Sequence, residues 1–152
     1  VSQLEPASRP PYHPPPMAGL RCNIVTPTDR VLDSEVSYVD LPAWDGQKGV
    51  ATGAAPFLVR LGPGCLRVEK LEGGSELFLL GGGFAQMNGG VLTILADSAT
   101  PVSAINAADA DKELANANAE GLKSGTVEMR NAAERRQRLA YARVALARSN
   151  RR

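Results

Sequence analysis

Apolar runs between residues 20 and 99 are short, and glycine or proline breaks them at close intervals. The stretch 36–68, VSYVDLPAWDGQKGVATGAAPFLVRLGPGCLRV, is the densest example, with Leu41-Pro42, Gly46, Gly49, Gly53, Pro56 and Gly62-Pro63-Gly64. Long helices cannot be built on such a text. Proline removes a backbone donor and fixes φ, and an interior glycine costs roughly 0.5–1 kcal/mol against alanine. The spacing predicts strands at 20–25, 31–33, 36–41, 57–61, 66–70, 77–80, 84–87 and 91–95. Pro42 is expected to end the third, and Gly62-Pro63-Gly64 reads as the turn after the fourth. Asn88-Gly89-Gly90 between two apolar runs predicts a hairpin, because the tight turns that suit strand twist need positive φ. Many short strands with such punctuation make a sandwich or barrel. Leu77-Phe78-Leu79-Leu80 is apolar on both faces, so that strand is expected to be covered on both sides.

The period changes after Pro101. Alanine dominates, and residues 105–122 place Ile105, Ala108, Ala115, Ala119 and Leu122 on one helical stripe, with Asn106 as N-cap. A turn over 121–126 leads to a second helix at 127–148, with Leu139, Ala142 and Leu146 on its stripe. So short a connection makes an antiparallel hairpin. Its alanine-rich seam buries little area, so the hairpin is expected to open more easily than the β part unfolds. The fold class is α+β in two parts, an N-terminal antiparallel β-sandwich at 17–101 followed by a C-terminal antiparallel two-helix hairpin at 102–152. With aromatic residues at 5%, the core must be aliphatic.

Residues 1–16 carry six prolines and read as an extended, mobile tail. Met17 is the expected natural start, with Val1 fitting an alternative start codon or a processed chain. His13, the single histidine, falls in this tail, which argues against histidine catalysis and histidine metal sites. Cys22 and Cys65 lie on separate predicted strands without ligand spacing, and read as two buried free thiols. No run approaches the roughly 20 apolar residues of a membrane span. Net charge is +1, yet residues 134–152 hold seven arginines against one acid, Glu134. Arg135, Arg136, Arg138 and Arg143 spread over more than one face of the second helix. They read either as a solvated basic surface or as a docking surface for an acidic partner.

The Gly/Pro pattern resembles the N-terminal domain of the epsilon subunit of F-type ATP synthases. Leu41-Pro42, Gly49-Val50, Gly53, Ala55-Pro56 and Leu61-x-Pro63-Gly64-x-Leu66 fall on that family's signature. Gly82-Gly83-Phe84-Ala85 and Val91-x-x-Ile94-Leu95-Ala96 fall on its GGF and VTVLA segments. The order of sandwich and helical hairpin agrees as well. The resemblance implies a central-stalk (rotor) subunit that joins the gamma subunit to the membrane ring of c subunits and catalyses nothing itself. It would lie on the cytoplasmic face of the plasma membrane and reach the membrane only through the complex. It also implies that the loop 44–50 touches the ring, through Trp44, Asp45, Gly46, Gln47 and Gly49. The last helix, with Arg135, Arg136, Arg138 and Arg143, would reach the alpha/beta hexamer and brake ATP hydrolysis.

This chain departs from the family at particular positions. Gln47 stands for the usual Glu, Ala54 for His, and Ala43 for Gly. The family's nucleotide motif, I/L-D-x-x-R-A, reads here Ile105-Asn106-Ala107-Ala108-Asp109-Ala110. An acid where a phosphate-facing arginine is expected repels the ligand, so no ATP binding and no cofactor are expected.

Other chemistry is thin. Asp40 and Asp45 read as solvated acids, Ser34 and Ser37 have no histidine to activate them, and Gly81-Gly82-Gly83 reads as close strand packing. Trp44, the single tryptophan, reads either as an exposed interface anchor or as a ring half-buried on the sandwich. A second reading of the whole is a β-sandwich adaptor that binds nucleic acid through its basic helix.

Overall fold

A computed structural model describes residues 19–123 and 125–149. The proline-rich tail expected at 1–16, with His13, lies outside the described residues, as do Arg151 and Arg152. The strands are β1 (Leu20–Val25), β2 (Arg30–Ala43), β3 (Gly46–Ala51), β4 (Phe57–Lys70), β5 (Ser75–Asn88), β6 (Val91–Ala96) and β7 (Ala99–Pro101). A single 3-10 turn, Val102–Ala104, leads to α1 (Ala107–Lys123) and α2 (Val127–Ser149).

The strands run β1-β6-β5-β4-β2-β3 in one sheet, and β1 pairs again with β2. Five strands therefore close on themselves, with β3 appended to β2 and β7 to β5. The sandwich is a flattened barrel whose two faces belong to one sheet. Its ladders are antiparallel except β1–β6, which is parallel. The predicted Asn88 hairpin is present. Asn88 pairs with Val91, and Gly89 and Gly90 take φ of +57° and +79° between them.

Alternation fills the barrel. Cys22, Ile24, Val39, Leu41, Leu66, Leu80 and Ile94 are fully buried, and Phe78 is the one aromatic among the buried described residues. The aliphatic core expected from composition is thus what forms. Leu79, on the opposite side of β5 from Phe78 and Leu80, is buried too, on the strand that the 3-10 turn packs against. That strand is covered on both faces, as its sequence predicts.

The glycine-proline punctuation misleads in the middle of the barrel. Gly62-Pro63-Gly64 is not a turn. β4 runs straight through it, with Pro63 opposite Gly81 and Gly64 opposite Leu80. The strands expected at 57–61 and 66–70 are one, and β5 likewise spans Gly81-Gly82-Gly83. The glycines bend these long strands around the barrel instead of reversing them. Gly82 and Gly83 take φ of +112° and +130°, and a Cβ on Gly83 would overlap the Leu95 carbonyl of β6. Pro42 does not end β2 either; it pairs with Gln47 of β3.

The helices form as predicted, but with their faces rotated. Ala108 N–H donates to Asn106 Oδ1 at 2.9 Å, capping α1, and Met129 N–H donates to Thr126 Oγ1 at 3.2 Å, capping α2. On α1 the buried positions are Ala110 and Ala117. The stripe expected there, Ala108, Ala115, Ala119 and Leu122, faces solvent, and Leu122 is 91% exposed. On α2 the seam is Ala133, Ala140, Val144 and Ala147, with Leu139, Ala142 and Leu146 half-buried on its flank. Alanine at many neighbouring positions offers several stripes of similar merit, and packing selects among them. α2 also lies against β4 and β5, so the hairpin is docked on the barrel. Ala110, Val144 and Ala147 nonetheless form an apolar cluster of their own, separate from the barrel core.

Candidate interaction surfaces

Residues 44–50, read from sequence as a loop, are mostly strand. Only Trp44 and Asp45 form the turn; β3 begins at Gly46, which takes φ of +136°. Trp44 is exposed at 71%, and its backbone N–H donates to the Arg60 carbonyl at 3.0 Å, which ties the turn to β4. Asp45 is exposed at the same tip. Gln47, with its amide oriented to suit its neighbours, donates to the Leu41 carbonyl at 2.8 Å and to Asp40 Oδ1 at 3.3 Å. Both partners are acceptors, so a glutamate in its place would meet repulsion where the amide meets hydrogen bonds. Lys48 holds its ammonium 4.6 Å from the Phe57 ring centre. Gly49 lies beneath Tyr38, whose phenol occupies the space a Cβ would need.

The same level of the barrel carries a row of exposed apolar side chains that sequence reading passed over. Phe84 pairs with Arg60 on one side and Leu95 on the other, and Leu58, opposite Gln86, stands one step along β4. Antiparallel partners point to the same face, so these side chains share one surface. Leu58 is 72% exposed, Phe84 51% and Leu95 55%. The signal was present in the alternation. Leu58 and Arg60 fall out of step with Phe57, Val59 and Leu61, so an apolar Leu58 had to face outward. Together with Trp44 beside Arg60, the row makes an apolar surface on the outside of the barrel.

Five of the six arginines of α2 divide into two groups. Arg136 pairs with Glu120, Arg143 with Glu113 and Arg148 with Asp111, all across the hairpin onto α1. Much of the acidic surface that the basic helix was expected to seek therefore belongs to its own neighbour. Arg135 and Arg138 face the other way and line a cleft with Arg60 of β4. The residues at the nucleotide-motif position, Ile105, Asn106, Asp109 and Ala110, line a hollow of about 160 Å³ with Thr100, Glu113 and Arg143. Asp109 and Glu113 bring two carboxylates there against one arginine that Glu113 already engages.

Cys22 and Cys65 are both free, and only Cys22 is buried; Cys65 is half-buried, not buried as expected. Burial pushes the Cys22 thiol up to about 12. Burial also raises Cys65, with the Asp40 carboxylate adding to the rise and Arg67 opposing it. Ser37 donates its hydroxyl to the Glu69 carbonyl at 3.1 Å, a structural bond between β2 and β4. Among the described residues no three His, Cys, Asp or Glu side chains gather as metal ligands, and no helix is long and apolar enough to cross a membrane.

The molecule is thus a flattened barrel with an apolar outer row and a projecting turn, and an ion-paired helical hairpin docked on it. Residues 19–102 match the beta-sandwich domain of the ATP synthase delta/epsilon chain. The chain is 42% identical over 98 residues to the ATP synthase epsilon chain of Rhodopirellula baltica, covering 64% of this chain and 76% of that one. It is 39% identical over 103 residues to that of Granulibacter bethesdensis, covering 68% and 76%. A chain of the Euglena gracilis mitochondrial ATP synthase, solved as OSCP/F1/c-ring, shares the fold with a TM-score of 0.74 at 24% identity, over 95% of this chain and 89% of that chain. A chain of the central stalk/c-ring of the Tetrahymena thermophila enzyme does so at 0.64 and 16% identity, over 84% and 95%. The protein belongs to the delta/epsilon chain family of ATP synthases.

Proposed function

We propose that this chain is a non-catalytic central-stalk subunit of a proton-transporting F-type ATP synthase. The observation that carries the reading is the exposed row Leu58, Phe84 and Leu95 beside the exposed Trp44 turn, on a barrel of the epsilon type. The apolar row is the docking face for the gamma subunit. Trp44, Asp45, Gly46, Gln47 and Gly49 form the contact with the c-subunit ring, Trp44 as an aromatic anchor and Gln47 through its amide. The subunit sits peripherally on the cytoplasmic face of the membrane and joins rotor to ring. The C-terminal hairpin, separable from the barrel core, is the arm that reaches the catalytic hexamer and restrains ATP hydrolysis through its arginine-bearing helix. Relatives named epsilon chain and neighbours from stalk and ring assemblies support this reading. The nucleic-acid adaptor has no such support, and three of its basic side chains are held by α1 carboxylates.

The test is co-purification of the full chain with its cognate gamma subunit, beside Phe84→Glu and Leu58→Glu variants. Both sites are exposed, so folding should persist, checked by circular dichroism. Loss of at least tenfold in gamma affinity is expected. Unchanged affinity in the doubly substituted chain overturns the docking face; no binding by the unaltered chain overturns the stalk assignment itself.

A further inference from the structure

The outer faces of β5 and β6 make a strip without charge. Asn88, Gln86 and Phe84 point outward from β5, each paired with an outward residue of β6: Val91, Thr93 and Leu95 in turn. The strip runs from the 88–90 turn to the exposed apolar row, about 13 Å at roughly 3.3 Å per residue. The chain enters the barrel at the near end of this strip. Arg21 pairs with Val91, and its N–H donates to the Gly90 carbonyl at 3.2 Å. The described residues begin just before it, at Gly19. The segment ahead, residues 10–18, reads PPYHPPPMA, with five prolines and no Asp, Glu, Lys or Arg. An uncharged, proline-rich segment is therefore tethered at one end of an uncharged strip, and the other end of that strip exposes Phe84 and Leu95, with Leu58 of β4 beside them.

We propose that residues 10–18 fold back along this strip and cover Leu58, Phe84 and Leu95 until a partner displaces them. Proline has no backbone N–H to leave unpaired against an apolar surface, and its fixed φ lowers the entropy lost on immobilisation. Proline-rich segments dock on surfaces that expose aromatic rings, and Phe84 and Trp44 are such rings. Reach suffices, since nine residues at roughly 3.1 Å each span about 28 Å, twice the length of the strip. Neither side carries an ion that contact would strip of water. The tether supplies an effective concentration on the order of millimolar, so a contact too weak to hold a free peptide is populated within the chain. A covered row binds any other chain more weakly, in proportion to the fraction left uncovered. That competition rests on the gamma reading of the row; the contact itself does not.

The experiment cross-links the full chain with oxidised glutathione. Pro15→Cys is combined with Gln86→Cys on the strip, or with Glu72→Cys as a control, both in a Cys65→Ser background. Gly19 lies against Leu71, so the tether alone favours position 72. A disulfide within one chain is expected at least fivefold faster at position 86, and Phe84→Glu should abolish that preference. Equal rates at the two positions overturn the contact. A cross-link between two chains would seat a second copy on the strip and overturn it too. The second arm compares cognate gamma affinity of the full chain with that of the Pro11→Ser/Pro14→Ser/Pro15→Ser/Pro16→Ser chain, whose changes lie outside the described residues. At least threefold tighter binding by the substituted chain is expected; equal affinity overturns the competition. Absence of gamma binding by both chains counts against the stalk reading, and the cross-linking arm still decides the contact.

Discussion

Single residues decide where this barrel tolerates change. Gly83 combines φ of +130° with a neighbour, the Leu95 carbonyl, in the space of its missing side chain. Gly83→Ala must strain the backbone and part β5 from β6. A loss of roughly 2–4 kcal/mol is expected, of the order seen for strained positions and overpacked cores. Urea denaturation measures it, with Gly53→Ala as a comparison, since Gly53 has positive φ but open space. Cys22 gives a second handle. Its thiol stays protonated in the fold up to about 12, while the unfolded chain ionises near 9.0. Below pH 9 the group adds no pH dependence. Above it the unfolded state binds fewer protons, so stability falls as pH rises from about 9 towards 12, at up to about 1.4 kcal/mol per pH unit. Denaturation midpoints of the chain and of Cys22→Ala, measured at pH 8 and pH 10, test the sign; equal slopes in the two would refute it. The residue scale is also where sequence reading succeeded best. Asn88-Gly89-Gly90, the Asn106 cap and Gly83's close packing each follow from one local rule that tertiary structure had no reason to override.

Elements were harder to read, because glycine has two uses. At Gly89-Gly90 it reverses the chain, and at Gly62-Pro63-Gly64 it lets a strand bend without stopping; the composition is alike and the pairing partner decides. β3 was missed because Gly46, Gln47, Lys48 and Gly49 have poor intrinsic strand preference. They are strand because β2 offers a ladder and Tyr38 covers Gly49. The helices were placed within about two residues, yet their faces were not, since alanine carries too little hydrophobic contrast to fix a phase. That weakness is also physical. The α1–α2 seam buries small side chains, and its ion pairs are largely exposed, each contributing about 0.2–1 kcal/mol in dilute salt and less in concentrated salt. Amides of α1 should therefore exchange with deuterium well before those of β4, β5 and β6, and faster still in 0.5 M salt or after Asn106→Ala, whose lost cap costs roughly 0.5–2 kcal/mol. Exchange of α1 and β5 at one common rate would sink the idea that the hairpin opens alone.

At the scale of the whole molecule, barrel and hairpin have separate apolar clusters joined by one helix lying on two strands. A chain cut after Thr100 removes both helices and keeps the exposed apolar row of the barrel, Leu58, Phe84 and Leu95. It should still bind gamma, and the hydrolysis rate of a catalytic head lacking this subunit should fall with the full chain and stay high with the cut one. Suppression by the cut chain would move the brake from the hairpin to the barrel. Fold class was legible in sequence because punctuation and period change once, near Pro101. The exposed apolar row was not, because reading runs as short strands hid the register that puts Leu58 and Phe84 on one outer face.

The double pairing of β1 has a mechanical consequence. A strand at an open edge can slide along its single neighbour when a sheet is twisted. Here β1 is laced to β2 on one side and to β6 on the other, so none of the five closing strands has a free edge. Torsion about the barrel must then shear every ladder of the ring together. The molecule resists torque as a tube does and a slit tube does not, which suits a bushing fixed between two turning parts.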